Sequence, residues 1–250
     1  MKKTFTIAGI FLITYLGFLI ATLPATLLFN QLSIPKNLSI SGVTGTVWQT
    51  NVEQIVIGET SIQKIETRLS FWSLFTFTPK LFITFGDSFI AGPEGELELS
   101  LSAEIAQIND LKLIIKANEI AQQLTLPLPV SAQGDVEVTL LNAEIDLKKG
   151  NQCIAAKGSA TWSKAGLIAL EQNIKLGYFN SEIGCENGAL SLILSPENSL
   201  GLTFNAYMRK GGRISGNGFL KPGAKFPKVL KDVLPFLGRK DNQGRYRLSF

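Results

Sequence analysis

Histidine is absent from the chain, and cysteine is limited to Cys153 and Cys185. The missing imidazole removes the usual general base at neutral pH, the Ser-His nucleophile pairs and the commonest zinc ligand. Two sulfurs without histidine also make a poor metal site, so neither a metal nor another cofactor is expected. Charge is missing from the start of the chain: after Lys2 and Lys3 no charged residue appears until Lys36. Acidic residues are scarce at the other end, where Tyr207 to Phe250 holds eleven Lys and Arg against Asp232 and Asp241, a net +9.

The uncharged N-terminal stretch is apolar from Phe5 to Leu23 and stays so through Phe29. About twenty such residues at 1.5 Å rise cross a hydrocarbon core of roughly 30 Å, which predicts a transmembrane anchor over residues 5–29. Lys2 and Lys3 keep the N-terminus cytoplasmic, and the rest of the chain is translocated. The rival reading is a cleaved signal, whose apolar core is typically about 7–15 residues. This core is longer, and Ala21-Thr22-Leu23 and Leu23-Pro24-Ala25 are poor cleavage sites. The expected organisation is a cytoplasmic stub (1–4), the anchor (5–29), a linker (30–37) and a periplasmic domain (38–250) with subdomains 38–130 and 131–250. An inner-membrane location with an exported domain leaves no role for nucleic acid.

An exported chain with one pair of cysteines reads as one disulfide, Cys153–Cys185, the alternative being two buried thiols. Closing that loop stabilises the fold by about 3–4 kcal/mol on the chain-entropy account.

Beyond the linker, apolar and small polar residues alternate with period two, beginning at Ser39 to Trp48. The alternation recurs at Glu53 to Ile57, Ser61 to Leu69, Lys80 to Phe85, Gly95 to Leu101, Asp110 to Ile115 and Gly134 to Leu140. It continues at Glu144 to Leu147, Leu190 to Leu194, Gly201 to Tyr207 and Gly212 to Leu220. Turn signals such as Lys149-Gly-Asn and Glu186-Asn-Gly separate the runs. The fold class is therefore mainly β, a curved antiparallel sheet. Gly45-Thr-Val-Trp48 and Gly158-Ser-Ala-Thr-Trp162 each open a run of strands, which points to two related β layers. Helical spacing is confined to Ala117–Leu124 and to Pro227–Leu234, where Phe226, Val229, Leu230, Val233 and Leu234 recur between lysines and Pro235 is expected to stop the helix.

Glu94, Glu96 and Glu98 share one strand face, suiting a carboxylate pair or a calcium site, but a solvated face opposite buried Leu97, Leu99 and Leu101 is the simpler reading. No Gly-x-Ser-x-Gly elbow and no phosphate loop occur. The Phe71-Trp72-Ser-Leu-Phe75-Thr-Phe77 run is dense enough for an exposed patch, although core packing is the commoner fate. An open sheet with an apolar side would also accommodate an acyl chain. The basic C-terminal segment suits anionic lipid, a partner subunit or plain solvent.

Several of these residues together resemble the protein N family of the bacterial type II secretion system. They are the lone anchor, Gly45-Thr-Val-Trp48, Leu124-Thr-Leu-Pro-Leu-Pro129 leading into Gly134-Asp-Val-Glu-Val, Cys153, Trp162, and Cys185 with Gly188-Ala-Leu. The most specific part is terminal: Leu237, Gly238, Asp241, Gly244, Arg245 and Tyr246. The resemblance implies a non-enzymatic inner-membrane accessory subunit that supports export of folded proteins from the periplasm. It implies as partners the inner-membrane platform subunits, with the outer-membrane secretin beyond them. A fainter similarity to AsmA-like envelope proteins implies the alternative, a lipid-binding or lipid-transfer module. A periplasmic hydrolase using an acid such as Glu96 ranks third.

Overall fold

The computed structural model describes residues 2–29, 38–58, 60–122, 130–169, 172–210 and 213–249. The linker expected at 30–37 and the Leu124–Pro129 segment lie outside the described residues. Two helices come first, α1 (Lys2–Ala21) and α2 (Ala25–Phe29). Strands β1 (Leu38–Gly45), β2 (Gln49–Ile57), β3 (Thr60–Leu69), β4 (Lys80–Phe85), β5 (Glu94–Leu101) and β6 (Ile105–Lys116) follow. After the short helix α3 (Ala117–Gln122) come β7 (Ser131–Asp146), β8 (Gln152–Ala169), β9 (Gln172–Glu186) and β10 (Ala189–Leu194). The chain closes with β11 (Leu202–Arg209), β12 (Arg213–Leu220), a 3₁₀ helix at Lys228–Leu237 and β13 (Tyr246–Ser249).

The strands form one 13-stranded sheet in which sequence order is spatial order. Every neighbouring pair is antiparallel, joined by hairpins or short excursions. The two β layers expected from the Gly-to-Trp repeat are therefore one meander. Pairing of β6 with β7, from Ile105↔Asp146 to Lys116↔Asp135, joins the two halves.

The long central strands carry the irregularities that bend a sheet. Register shifts occur in β5–β6 at Glu96/Glu98 and in β7–β8 at Gln133/Asp135, Leu140/Asn142 and Glu144/Ile145. Others flank Ala165 in β8–β9. Each bulge adds local twist and re-aims the side chains after it. The alternating runs at 134–140 and 144–147 thus fall on a single strand, β7, which ends at Asp146 and whose register against β8 shifts at three places. Leu97 and Leu99 are half-buried, but Leu101, expected inside, is 39% exposed, and its neighbour Ser100 is the buried residue.

The core lies on one side of β6–β13. Leu140, Ala143, Ala160 and Ile183 form one buried group, and Ala165, Ala169, Ile174, Leu176 and Phe179 a second. The third, Leu220, Phe226, Leu234 and Tyr246, fixes the C-terminal segment to the sheet. That segment is a 3₁₀ helix rather than the expected α-helix, and it continues through Pro235 to Leu237. Proline's fixed φ suits the 3₁₀ backbone, and buried Phe226 and Leu234 hold the segment down on either side of Leu230.

Among the described residues no helix is long and apolar enough to cross a membrane. The single span expected over 5–29 is divided, with α1 ending at Ala21 and Pro24 bridging to Thr46 before α2 begins. Among the described side chains of α1, Ile7, Phe11, Ile13 and Phe18 are exposed. Its Thr14 hydroxyl donates to the Ile10 carbonyl and Thr22 to Phe18, so both are satisfied within the helix.

A candidate apolar binding site

Strands β7, β8 and β9 bring Val136, Trp162, Leu167 and Leu176 to one cavity, the register shifts around Ala165 changing the phase of β8 between Trp162 and Leu167. Two short elements border that cavity. From one side comes α3, bringing Ile120 and Ala121, and pinned because the Asn118 side-chain carbonyl accepts the Ala132 N–H at 3.2 Å. From the other comes the 3₁₀ helix, which brings Leu230, Leu234 and Phe236. The cavity between them has a volume of about 430 Å³, and its lining, among the described residues, is apolar throughout.

Trp162 provides the aromatic part of the wall. Its ring stacks on Phe179 with centroids 5.3 Å apart, and its Nε1–H donates to the Gln133 carbonyl at 2.8 Å. The one polar atom of the indole is thus engaged within the sheet, which leaves the ring to present hydrocarbon. Water entering such a space finds no side-chain partner.

The mouth is basic. Lys221 follows cavity residue Leu220, Lys225 precedes Phe226, Lys231 follows Leu230, and Lys228 lies between them. All four are exposed, and among the described residues none makes an ion pair. Lysines on β4 and β6 differ, since Lys80 pairs with Glu98 at 2.9 Å and Lys112 with Glu96 at 3.0 Å. The Glu94–Glu98 face is occupied by these cross-strand pairs, with Ser88 donating to Glu94. Among the described residues no group of His, Cys, Asp or Glu is arranged to hold a metal ion.

The terminal motif forms a closed turn beside the cavity. Asp241 accepts the backbone N–H of Gln243 at 2.8 Å and of Arg245 at 2.9 Å on one oxygen, and the Arg245 side chain at 2.8 Å on the other. The Arg245 backbone N–H is the main cause holding the Asp241 carboxyl below its usual value, against the opposing effect of partial burial. Gly244, at φ +74°, donates to the Asp241 carbonyl, and Gly238, at φ +95°, donates to Pro235 at the end of the 3₁₀ helix. Arg245 lies 4.0 Å over the Phe219 ring, Tyr246 is buried against Leu220, and Leu237 reaches the cavity wall.

Gly45 and Trp48 lie in a different place, at the turn between β1 and β2 where the sheet meets α1. The Trp48 Nε1–H donates to the Ile20 carbonyl at 2.8 Å, and the Val47 N–H to the Leu23 carbonyl at 2.9 Å. Phe71 packs edge-on to Trp48 at 5.1 Å and touches Trp72 and Phe75. These aromatics are exposed, Trp72 by 78% and Phe77 by 88%, so they form a patch outside the core. Cys153 and Cys185 are joined by a disulfide with Cα atoms 5.7 Å apart. It ties the start of β8 to the end of β9, beyond the last paired position at Gly158↔Ile183. Ile120, Ala121, Leu176, Leu200 and Leu248 do not stand out in the sequence; apolar residues on several strands carry no local sign that they converge.

The chain is thus an open antiparallel meander with an apolar pocket under a strapped C-terminal segment. Residues 36–249 match the family of type II secretion system (T2SS) protein N, and the chain belongs to that family. It is 29% identical to type II secretion system protein N of Aeromonas hydrophila, over 100% of this chain and 98% of that protein. Its identity to the Klebsiella pneumoniae protein is 30% over 98% and 94% of the two chains, and to the Vibrio cholerae protein 26% over 98% and 97%. No solved structure matches the chain.

Proposed function

We propose that the protein is a non-catalytic subunit of the type II secretion system, held at the inner membrane by α1, with its sheet on the periplasmic side. There it supports export of folded proteins across the outer membrane. Family membership supports the secretion role. The observation that carries the placement is the junction of α1 with the sheet, where Ile20 and Leu23 carbonyls are capped by Trp48 and Val47. The first helix, α1, has 20 residues and carries Ile7, Phe11, Ile13 and Phe18 exposed. Exposed Trp72 and Phe75 touch Phe71, which packs on the Trp48 that bonds the end of that helix, and exposed aromatic residues favour a headgroup region. A disulfide suits an oxidising compartment such as the periplasm.

The partners that fit this reading are the other inner-membrane platform subunits, with the secretin beyond. The test is deletion of the gene, combined with photo-crosslinking from Trp72 and Lys231 positions in the full chain. Loss of secretion with crosslinks to platform subunits is expected. Unchanged secretion together with no crosslink to any platform subunit would overturn the proposal.

A further inference from the structure

We propose that the cavity between α3 and the C-terminal 3₁₀ helix takes an acyl chain of an anionic phospholipid, whose headgroup is held by Lys221, Lys225, Lys228 and Lys231. The inference stands on the cavity and its rim, independently of the secretion role.

Shape and chemistry both select the occupant. A volume of about 430 Å³ falls within the usual range for a bound small molecule. Among the described residues every lining residue is apolar, and the indole N–H of Trp162 is engaged by Gln133, so the buried part of the ligand is hydrocarbon without hydrogen-bonding groups. A polar peptide segment would leave its backbone amides unsatisfied there. Lysines outnumber acids along the segments that border the cavity, where Asp232 on the 3₁₀ helix and Glu119 on α3 are the acids. Four exposed lysines flank Leu220, Phe226 and Leu230, Asp232 is the acid nearest them in sequence, and Asp241 is committed to Arg245. An anionic head above an apolar tail matches that arrangement, whereas a zwitterionic head gains little from it. Phe236, 72% exposed yet part of the lining, stands at the opening, where a chain would enter past it.

Trp162 serves as the probe. In the full chain, Trp48→Phe and Trp72→Phe leave it as the sole tryptophan. This protein, in detergent micelles, is titrated with phosphatidylglycerol carrying brominated acyl chains, with phosphatidylcholine carrying the same chains, and with brominated stearate. Bromine quenches an indole only on contact, so phosphatidylglycerol is expected to remove most of the Trp162 emission and phosphatidylcholine little of it. Ala121→Phe, which fills the cavity, is expected to abolish the quenching. The triple change Lys225→Glu, Lys228→Glu and Lys231→Glu is expected to abolish the preference for phosphatidylglycerol while leaving the cavity intact. Circular dichroism and an intact disulfide report that each variant is folded. Absence of quenching in the folded protein, equal quenching by the two phospholipids, quenching by stearate alone, or quenching that persists in folded Ala121→Phe would each overturn the proposal.

Discussion

Trp48 donates its indole N–H to the carbonyl of Ile20, 28 positions earlier, at 2.8 Å. The last carbonyls of a helix have no partner inside it, and here the loop after β1 supplies one. The adjoining Val47–Leu23 bond makes a two-point junction. Replacing Trp48 with Phe keeps the aromatic contact with Phe71 and removes only the donor. The expected cost is about 1 kcal/mol, felt locally as faster amide exchange at Val47 in the full chain. Trp48→Ala, which also loses the ring contact, is expected to speed exchange further. Unchanged protection at Val47 in both variants would mean that the junction is held by something else.

The disulfide closes the mouth of the β8–β9 hairpin, spanning 32 positions. Reduction, or Cys153→Ser with Cys185→Ser, is expected to lower the unfolding free energy by about 3–4 kcal/mol. Denaturant titration with and without reductant measures it. Alkylation that is equal with and without prior reduction would refute the bond in the native protein.

Local rules make much of this fold readable, and long-range ones do not. Glu186-Asn-Gly reads as a turn, and Asn187 and Gly188 take the positive φ values, +50° and +77°, of a two-residue hairpin turn linking β9 to β10. Period-two alternation likewise reveals β2, β3 and β4. It fails in β8 and β9, where bulges around Ala165 and small residues such as Ala155, Ala156 and Ala160 break the phase. The cavity is half visible: Phe226, Leu230 and Leu234 stand out at helical spacing, but their counterparts on α3 and β7–β9 have ordinary strand or loop neighbours. The terminal motif is recognisable as a pattern, and only its geometry explains it: Asp241 needs Gly244 for the turn and Arg245 for the staple.

That staple is sensitive to pH in a defined direction. Asp241 has a folded value below the ordinary carboxylate value, chiefly through the Arg245 backbone N–H. A depressed carboxylate contributes stability above its unfolded value, about 4, and loses that contribution as pH falls through the folded one. Asp241→Asn is therefore expected to melt below the parent near neutral pH, with the two converging in acid. Thermal melts across the acid range check this. A difference that stays constant with pH would assign the effect to shape rather than charge.

Gly45 separates backbone strain from steric collision. It sits at φ +88° at the end of β1, and a Cβ there would strike the Gln49 carbonyl, which also accepts the Thr46 N–H at 3.0 Å. Gly177 has nearly the same φ, +89°, with nothing within 4 Å of the place a methyl group would take. Alanine at either site incurs the strain of an unusual backbone, on the order of 1–3 kcal/mol. Only at Gly45 must the β1–β2 turn also move, and that turn carries Val47 and Trp48 onto α1. Gly45→Ala is thus expected to lower the melting temperature more than Gly177→Ala and to raise Val47 exchange, which Gly177→Ala leaves unchanged. Equal melting shifts with Val47 protected in both variants would show that the turn accommodates a methyl group and that the glycine serves backbone conformation alone.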